Sequence, residues 1–179
     1  PEAPEGVGSY DTDWAYDLEV VSDTLLFMAD HWRIYMLNVT DPSAPVVIDS
    51  AVSYRTGEGY IDLEIDDLTI LALTSLYGLH SISYDSDGMS EASTNYFDRA
   101  SIQGGYAIAL KGDFQFITSG SVVTLQYNYY HGQFYENDMH NLELVGDLAY
   151  TVDGDYGLAI FDVSDPVRPV LRGTYEVYG

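Results

Sequence analysis

The stretch from Tyr16 to Ser50 recurs as His140 to Thr174, apolar position for apolar position and turn for turn. Self-similarity at a period of roughly 20 to 50 residues restricts a chain to a solenoid, a propeller or an array, because one such unit cannot bury its own apolar face and must stack on its neighbours. Aligned on the first apolar run of the unit, Leu18, Leu63, Ile108 and Leu142 fall in register. Each is followed by a turn aspartate: Asp23, Asp67, Asp113 and Asp147. The copies are spaced by 45, 45 and 34 residues, so the third is shortened.

Within a copy the first two runs alternate with period 2, as in DLEVV and LLFMA, which is the pattern of a half-buried hairpin. A third run follows (RIYMLNV, LHSISY, SVVTLQY, LAIFDV), then a turn and a fourth (PVVIDSAV, STNYFD, QFYE, PVLRGTY). Four antiparallel strands per copy make the blade of a β-propeller. The expected fold is therefore all-β: a β-propeller, or a propeller segment, of four blades in a single repeat domain. The approximate repeats are 12–53, 54–98, 99–137 and 138–179.

The turns are the most specific local signal. In Thr40-Asp41-Pro42-Ser43-Ala44-Pro45 and Ser164-Asp165-Pro166-Val167-Arg168-Pro169, Pro follows Asp at the second turn position, where its ring presets φ for a type I turn. The second Pro opens the outer strand, where a missing N–H is tolerated at an edge. With LAIFD at Leu158 to Asp162 leading into VSDPVRPVL, the last copy resembles the LVIVD repeat of exported prokaryotic β-propeller proteins, and the first copy (IYMLNVTDPSAPVV) is similar to it. In the middle copies YDSDGMSE, from Tyr84, and YNYYHG, from Tyr127, replace the Asp-Pro turn. The resemblance implies an extracellular or cell-surface scaffold rather than a reaction.

The opening segment PEAPEGVGSYDT aligns with the outer-strand segment PVRPVLRGTYEV, which leaves five outer strands for four inner sets. Residues 1–11 are expected to form this surplus strand, with Val7, Ser9 and Tyr10 as its assembly residues. Either the chain is a piece of a longer propeller, or the spare strand augments an open sheet edge in a neighbouring molecule. The second case predicts self-association, in the limit a filament. The first residue is Pro1, with neither an initiator Met nor an apolar signal segment, as expected of a mature or truncated product.

Six Lys and Arg against 29 Asp and Glu give a formal charge of −23. Nucleic acid and anionic membrane are disfavoured as partners, since either would be repelled. The acids are scattered without a block of like charge, so they belong to a solvated folded surface, and low Lys with high Asp suits a high-salt habitat. Cysteine is absent, which removes disulfide and thiolate chemistry. No run approaches the about 18 apolar residues of a candidate spanning helix.

Four histidines (His31, His80, His131, His140) form no i, i+4 pair, and there is no GxSxG or phosphate-cradling glycine loop. His31 is expected in a hairpin turn, and His131 in an aromatic loop. A site at the propeller axis would draw on first-strand residues Asp17, Glu19, Asp62, Glu64, His140 and Glu143, an acidic ring better suited to a cation or water than to acid–base work. The chain is thus expected to be non-catalytic and to require no cofactor. Calcium is the metal it has ligands for: Asp85, Asp87 and Glu91 place carboxylates around Gly88, although a solvated acidic β-turn explains the same run. Asp153-Gly154-Asp155 is a weaker candidate, because a tight turn wants those residues anyway. For protein or carbohydrate partners, Trp32 and the third-copy tyrosines Tyr129, Tyr130 and Tyr135 offer flat faces, while Trp14 is expected to pack between blades. Asn38-Val39-Thr40 is a glycosylation sequon, at the position where the last copy has Asp162.

Overall fold

A computed structural model describes residues 5–52, 59–75, 78–90, 93–95, 106–118, 121–126, 129–136, 139–153 and 157–176. All the regular structure in them is β. The first sheet runs β1 (Ala15–Ser22), β2 (Leu25–Asp30), β3 (Arg33–Asn38) and β4 (Val46–Val52) in spatial as in sequence order. The second holds β5 (Tyr60–Asp66), β6 (Thr69–Thr74), β7 (Gly78–Asp85) and the two-residue β8 (Gly88–Met89), with β9 (Ser93–Asn95) also on β7. The third is β10 (Ala107–Lys111), β11 (Phe114–Thr118), β12 (Ser121–Gln126) and β13 (Tyr129–Glu136). The fourth is β14 (Met139–Val145), β15 (Leu148–Asp153), β16 (Gly157–Asp162) and β17 (Val170–Tyr175). Each of these meanders is antiparallel, and the fold is a β-propeller.

Period 2 assigns the faces. In the first sheet, Phe27 pairs with Met36 and Ala29 with Ile34, and these four side chains are buried with Tyr60, Leu63, Ile70, Ala72, Ile82 and Tyr84 of the second sheet. This core belongs to one compact unit, residues 1–72 and 81–93. In the other unit, 73–80 and 94–179, Ala107, Ala109 and Phe116 of the third sheet are buried with Leu142, Ala149, Ala159 and Phe161 of the fourth. Each core is thus a sandwich of alternating inward residues, sheet on sheet.

The Asp-Pro turns form as their chemistry demands. Asp41 Oδ1 accepts from the Ser43 N–H at 3.0 Å while the Ala44 N–H reaches the Asp41 carbonyl at 3.0 Å. Asp165 does the same with Val167 (3.1 Å) and Arg168 (2.9 Å). In the hairpin turns joining first to second strands, Gly112 and Gly146 take positive φ of 55° and 62°. Asp67 holds that position in the second sheet at φ 53°, in the left-handed region that Asp tolerates better than most residues.

Three features differ from the sequence reading within this chain. Residues 5–11, expected as the surplus strand, pair with no strand of their own chain. With Gly6 and Gly8 in a short run, the segment has little to pair with, and it packs instead on its own first sheet: the Tyr10 ring meets Tyr35 edge-on at 5.6 Å, and Thr12 Oγ1 donates to Asp30 Oδ2 at 2.7 Å. Gly8 lies so close to the Asp-Pro turn that a Cβ there would sit 2.1 Å from the Pro42 carbonyl oxygen. Val7 is exposed, and Ser9 is irregular with it. Second, Tyr129, Tyr130 and His131 are in β13 rather than in a loop: Tyr129 pairs with Gln126 and Tyr130 with Leu125, because a tyrosine-rich run extends the hairpin. Third, the second sheet carries the additional strand β8, formed as the acidic turn after Tyr84 folds back on β7.

Candidate functional site

The turn between β2 and β3 consists of His31 and Trp32, and one carboxylate shapes it. Asp30, at the end of β2, is buried and accepts from the Trp32 N–H (2.7 Å) and the Arg33 N–H (2.6 Å) through Oδ1, and from Thr12 through Oδ2. Burial raises its pKa, but the bonds from Thr12, the Trp32 and Arg33 amides and the Tyr35 hydroxyl outweigh burial and hold the carboxyl below the usual range. The Tyr35 hydroxyl is pushed up, by burial and by Asp30 beside it.

A turn pinned in this way presents Trp32 outward and keeps His31 half-buried beside it. His31 is the centre of an aromatic group: Trp32 crosses it at 4.4 Å and 89°, Trp14 at 6.2 Å and 78°, and Tyr16 lies 6.1 Å away at 38°. Gly59, just before β5, passes against it. A Cβ on Gly59 would come within 2.7 Å of His31 Nδ1 and 2.8 Å of the His31 carbonyl oxygen, so the approach requires glycine. The outer rings are open to solvent, Trp14 at 68% and Trp32 at 43%, with Tyr16 exposed alongside. Trp14 is therefore corrected from a residue packed between blades to part of a surface: the stretch before β1 contacts the hairpin turn rather than entering the core. In the other unit, Tyr106, just before β10, packs at 4.6 Å and 51° against His140 of β14, the repeat counterpart of Tyr16.

The other predicted residues fall elsewhere. Asp85 and Asp87 line a cleft of about 400 Å³ with Asp49, Tyr84, Gly88 and Met89, all in the first unit. Asp85 Oδ1 accepts from the Asp87 and Gly88 amides (2.8 and 3.2 Å), Asp87 Oδ1 from the Ser86 hydroxyl (3.3 Å), and Asp49 Oδ2 from the Met89 amide (2.8 Å). Glu91, Gly154 and Asp155 lie outside the described residues, and among those described no group of three His, Cys, Asp or Glu converges as a metal site. Tyr135 follows Phe134 in β13, and the side chains of that strand lie outside the description. Asn38 is exposed at the end of β3, where its Oδ1 accepts from the Thr40 N–H at 2.9 Å, as Asp162 accepts from Ser164 in the last repeat. Of the first-strand acids, Asp17 is structural: its Oδ2 accepts from the Leu63 N–H at 2.8 Å and ties β1 to β5. His80 is buried within β7.

With this architecture in hand, sequence and structure comparisons give one consistent result. Residues 138–177 match the LVIVD repeat. Among solved structures, a periplasmic gluconolactonase of Pseudomonas aeruginosa is similar with a TM-score of 0.70 at 10% identity, over 89% of this chain and 56% of that one. A β-propeller domain from Myceliophteria thermophila is similar with a TM-score of 0.67 at 11% identity, over 91% of this chain and 60% of that one. A computationally designed protein is matched over 99% of its length and 90% of this chain, with a TM-score of 0.65 and 8% identity. The chain thus spans little more than half of the two natural structures, and at these identities the likeness concerns fold alone. Comparison with curated protein sequences finds no match.

Proposed function

We propose that this β-propeller chain is a non-catalytic interaction module, acting outside the cell or at its surface, whose contact face is Trp14, Tyr16, His31 and Trp32. The exposed aromatic group on a turn fixed by a buried carboxylate carries this reading: ring faces held in place lose little conformational freedom when a ligand covers them. The LVIVD repeat and the charge of −23 support the setting, and that charge selects against anionic ligands. The ligand best suited is uncharged with a flat apolar face, as a neutral oligosaccharide has. No cofactor enters this reading.

Trp14 and Trp32 are the only tryptophans in the chain, so intrinsic tryptophan emission reports this face and nothing else. Titration with neutral hexasaccharides of glucose, mannose and N-acetylglucosamine is expected to quench or shift the emission for at least one of them. Trp32→Ala should remove the effect, and a sulfated oligosaccharide should give none. If no neutral saccharide changes the emission, the ligand class is wrong.

A further inference from the structure

We propose that Asn38 is a modification site, its side-chain nitrogen carrying an N-linked glycan at the end of β3, just before the Asp-Pro turn of the first repeat. The inference rests on the extracellular reading above, because the Asn-x-Thr acceptor is used on surface loops of exported chains. It is independent of the aromatic face. Asn38-Val39-Thr40 is the one such tripeptide in the sequence: Asn95, Asn128, Asn137 and Asn141 have neither Ser nor Thr two residues on.

The fold meets what the chemistry asks of an acceptor. Asn38 lies in the cross-strand row Leu25–Asn38–Val46 with its side chain exposed, and Thr40 is exposed in the turn that follows. Between them the Val39 N–H is fixed on the Thr24 carbonyl at 2.9 Å, which holds the tripeptide in place at the surface. Asn38 Oδ1 accepts from the Thr40 N–H at 2.9 Å, whereas Nδ2 of Asn38 and Oγ1 of Thr40 bond to no described residue. The nitrogen that is modified and the hydroxyl that marks the acceptor are thus both open. In the reaction Nδ2 forms a bond to the anomeric carbon of a sugar carried as its polyprenyl diphosphate. The bond from that carbon to the phosphate oxygen breaks, the diphosphate leaves with the electron pair, and Nδ2 gives up one proton.

The last repeat shows that the turn does not need this nitrogen. Asp162 stands at the same point, between Leu148 and Val170 in its own row, and accepts from the Ser164 N–H at 2.9 Å. Its other oxygen is taken by Arg172, for which the first repeat has Ile48. A carboxylate therefore does at 162 what the carboxamide oxygen does at 38, and the amide nitrogen of Asn38 is surplus to the fold. A glycan on it is bulky and polar, and it stands beside Val46, which is 62% exposed across the row.

Mass spectrometry of the protein recovered from the cells that make it tests this. The peptide containing residue 38 should carry a mass increment of one or more monosaccharides. Asn38→Asp keeps the turn acceptor, as Asp162 does, and Thr40→Ala keeps the backbone donor; each should lose the increment with circular dichroism unchanged, whereas Thr40→Ser should retain it. If Asn38→Asp folds poorly, Thr40→Ala gives the same reading alone. An unmodified residue 38 in protein recovered from outside the cell overturns the glycan and leaves the extracellular reading standing, and protein found unmodified and only in the cytoplasm overturns both. An increment that survives in Asn38→Asp and in Thr40→Ala lies elsewhere and overturns the assignment to Asn38.

Discussion

Asp30 does at the residue scale what a longer loop does elsewhere. Its one carboxylate receives two backbone amides and two hydroxyls, and this holds His31 and Trp32 on a two-residue turn. Asp30→Ala leaves those donors without an acceptor, which costs about 1–3 kcal/mol, or a fall of several degrees in Tm for a chain of this size. Because the folded carboxyl titrates below the unfolded one, its contribution is complete above the ordinary carboxylate range near pH 4. It is lost as pH falls through that range toward the lowered folded value. Asp162, held well below the usual range by the Ser164 hydroxyl and the Arg172 guanidinium, has the same sign at the surface. Thermal melts between neutral pH and pH 2 should show wild type losing stability below pH 4, and Asp30→Asn, already weaker at neutral pH, should lose less over the same interval. Parallel curves for the two proteins would show that Asp30 does not set the acid limb.

Elements divide into those fixed by neighbours in sequence and those fixed by distant ones. The hairpins and the Asp-Pro turns belong to the first kind: period 2 in LLFMA or LAIFD, and φ preset by Pro42 and Pro166, are local properties that can be read residue by residue. The aromatic face belongs to the second. It needs Thr12, Trp14, Tyr16, Asp30, His31 and Gly59 to meet, and only Trp32, marked by its position in a turn, is legible from the sequence as a contact residue. The one further signal in the sequence is an Asp immediately before a two-residue turn. The N-terminal segment escapes a sequence reading for the same reason, since its alignment with an outer strand carries no information about Gly8 meeting Pro42. That approach is testable. The carbonyl oxygen that a Cβ at position 8 would strike belongs to a proline-fixed turn and cannot yield, so Gly8→Ala should lift the segment, weaken the Thr12–Asp30 bond and cost about 1 kcal/mol. Amide exchange should accelerate over 5–14 while the β2 and β3 amides keep their protection. Unchanged exchange in the segment would mean that it is held by Tyr10 and Thr12 alone.

For the whole molecule, charge opposes what packing favours. The cores in each unit bury Phe27, Tyr60, Phe116 and Phe161 fully or nearly so, yet the chain folds against a formal charge of −23 spread over its surface. Few cations offset it: Lys111 pairs with Asp147 and Arg172 with Asp162, and both pairs are open to solvent, where an ion pair contributes little. Self-repulsion is therefore a whole-molecule destabilisation that screening removes, as the Debye length contracts from about 30 Å at 0.01 M to about 3 Å at 1 M salt. The midpoint of urea unfolding should rise across this range in NaCl, with most of the gain complete before hydrophobic salting-out sets in. Sodium sulfate at matched ionic strength separates the two effects, because an excluded anion strengthens apolar burial as well as screening charge. A midpoint that is flat or falling in NaCl, with a rise only in sulfate, would show that the acids are already spaced widely enough to ignore one another.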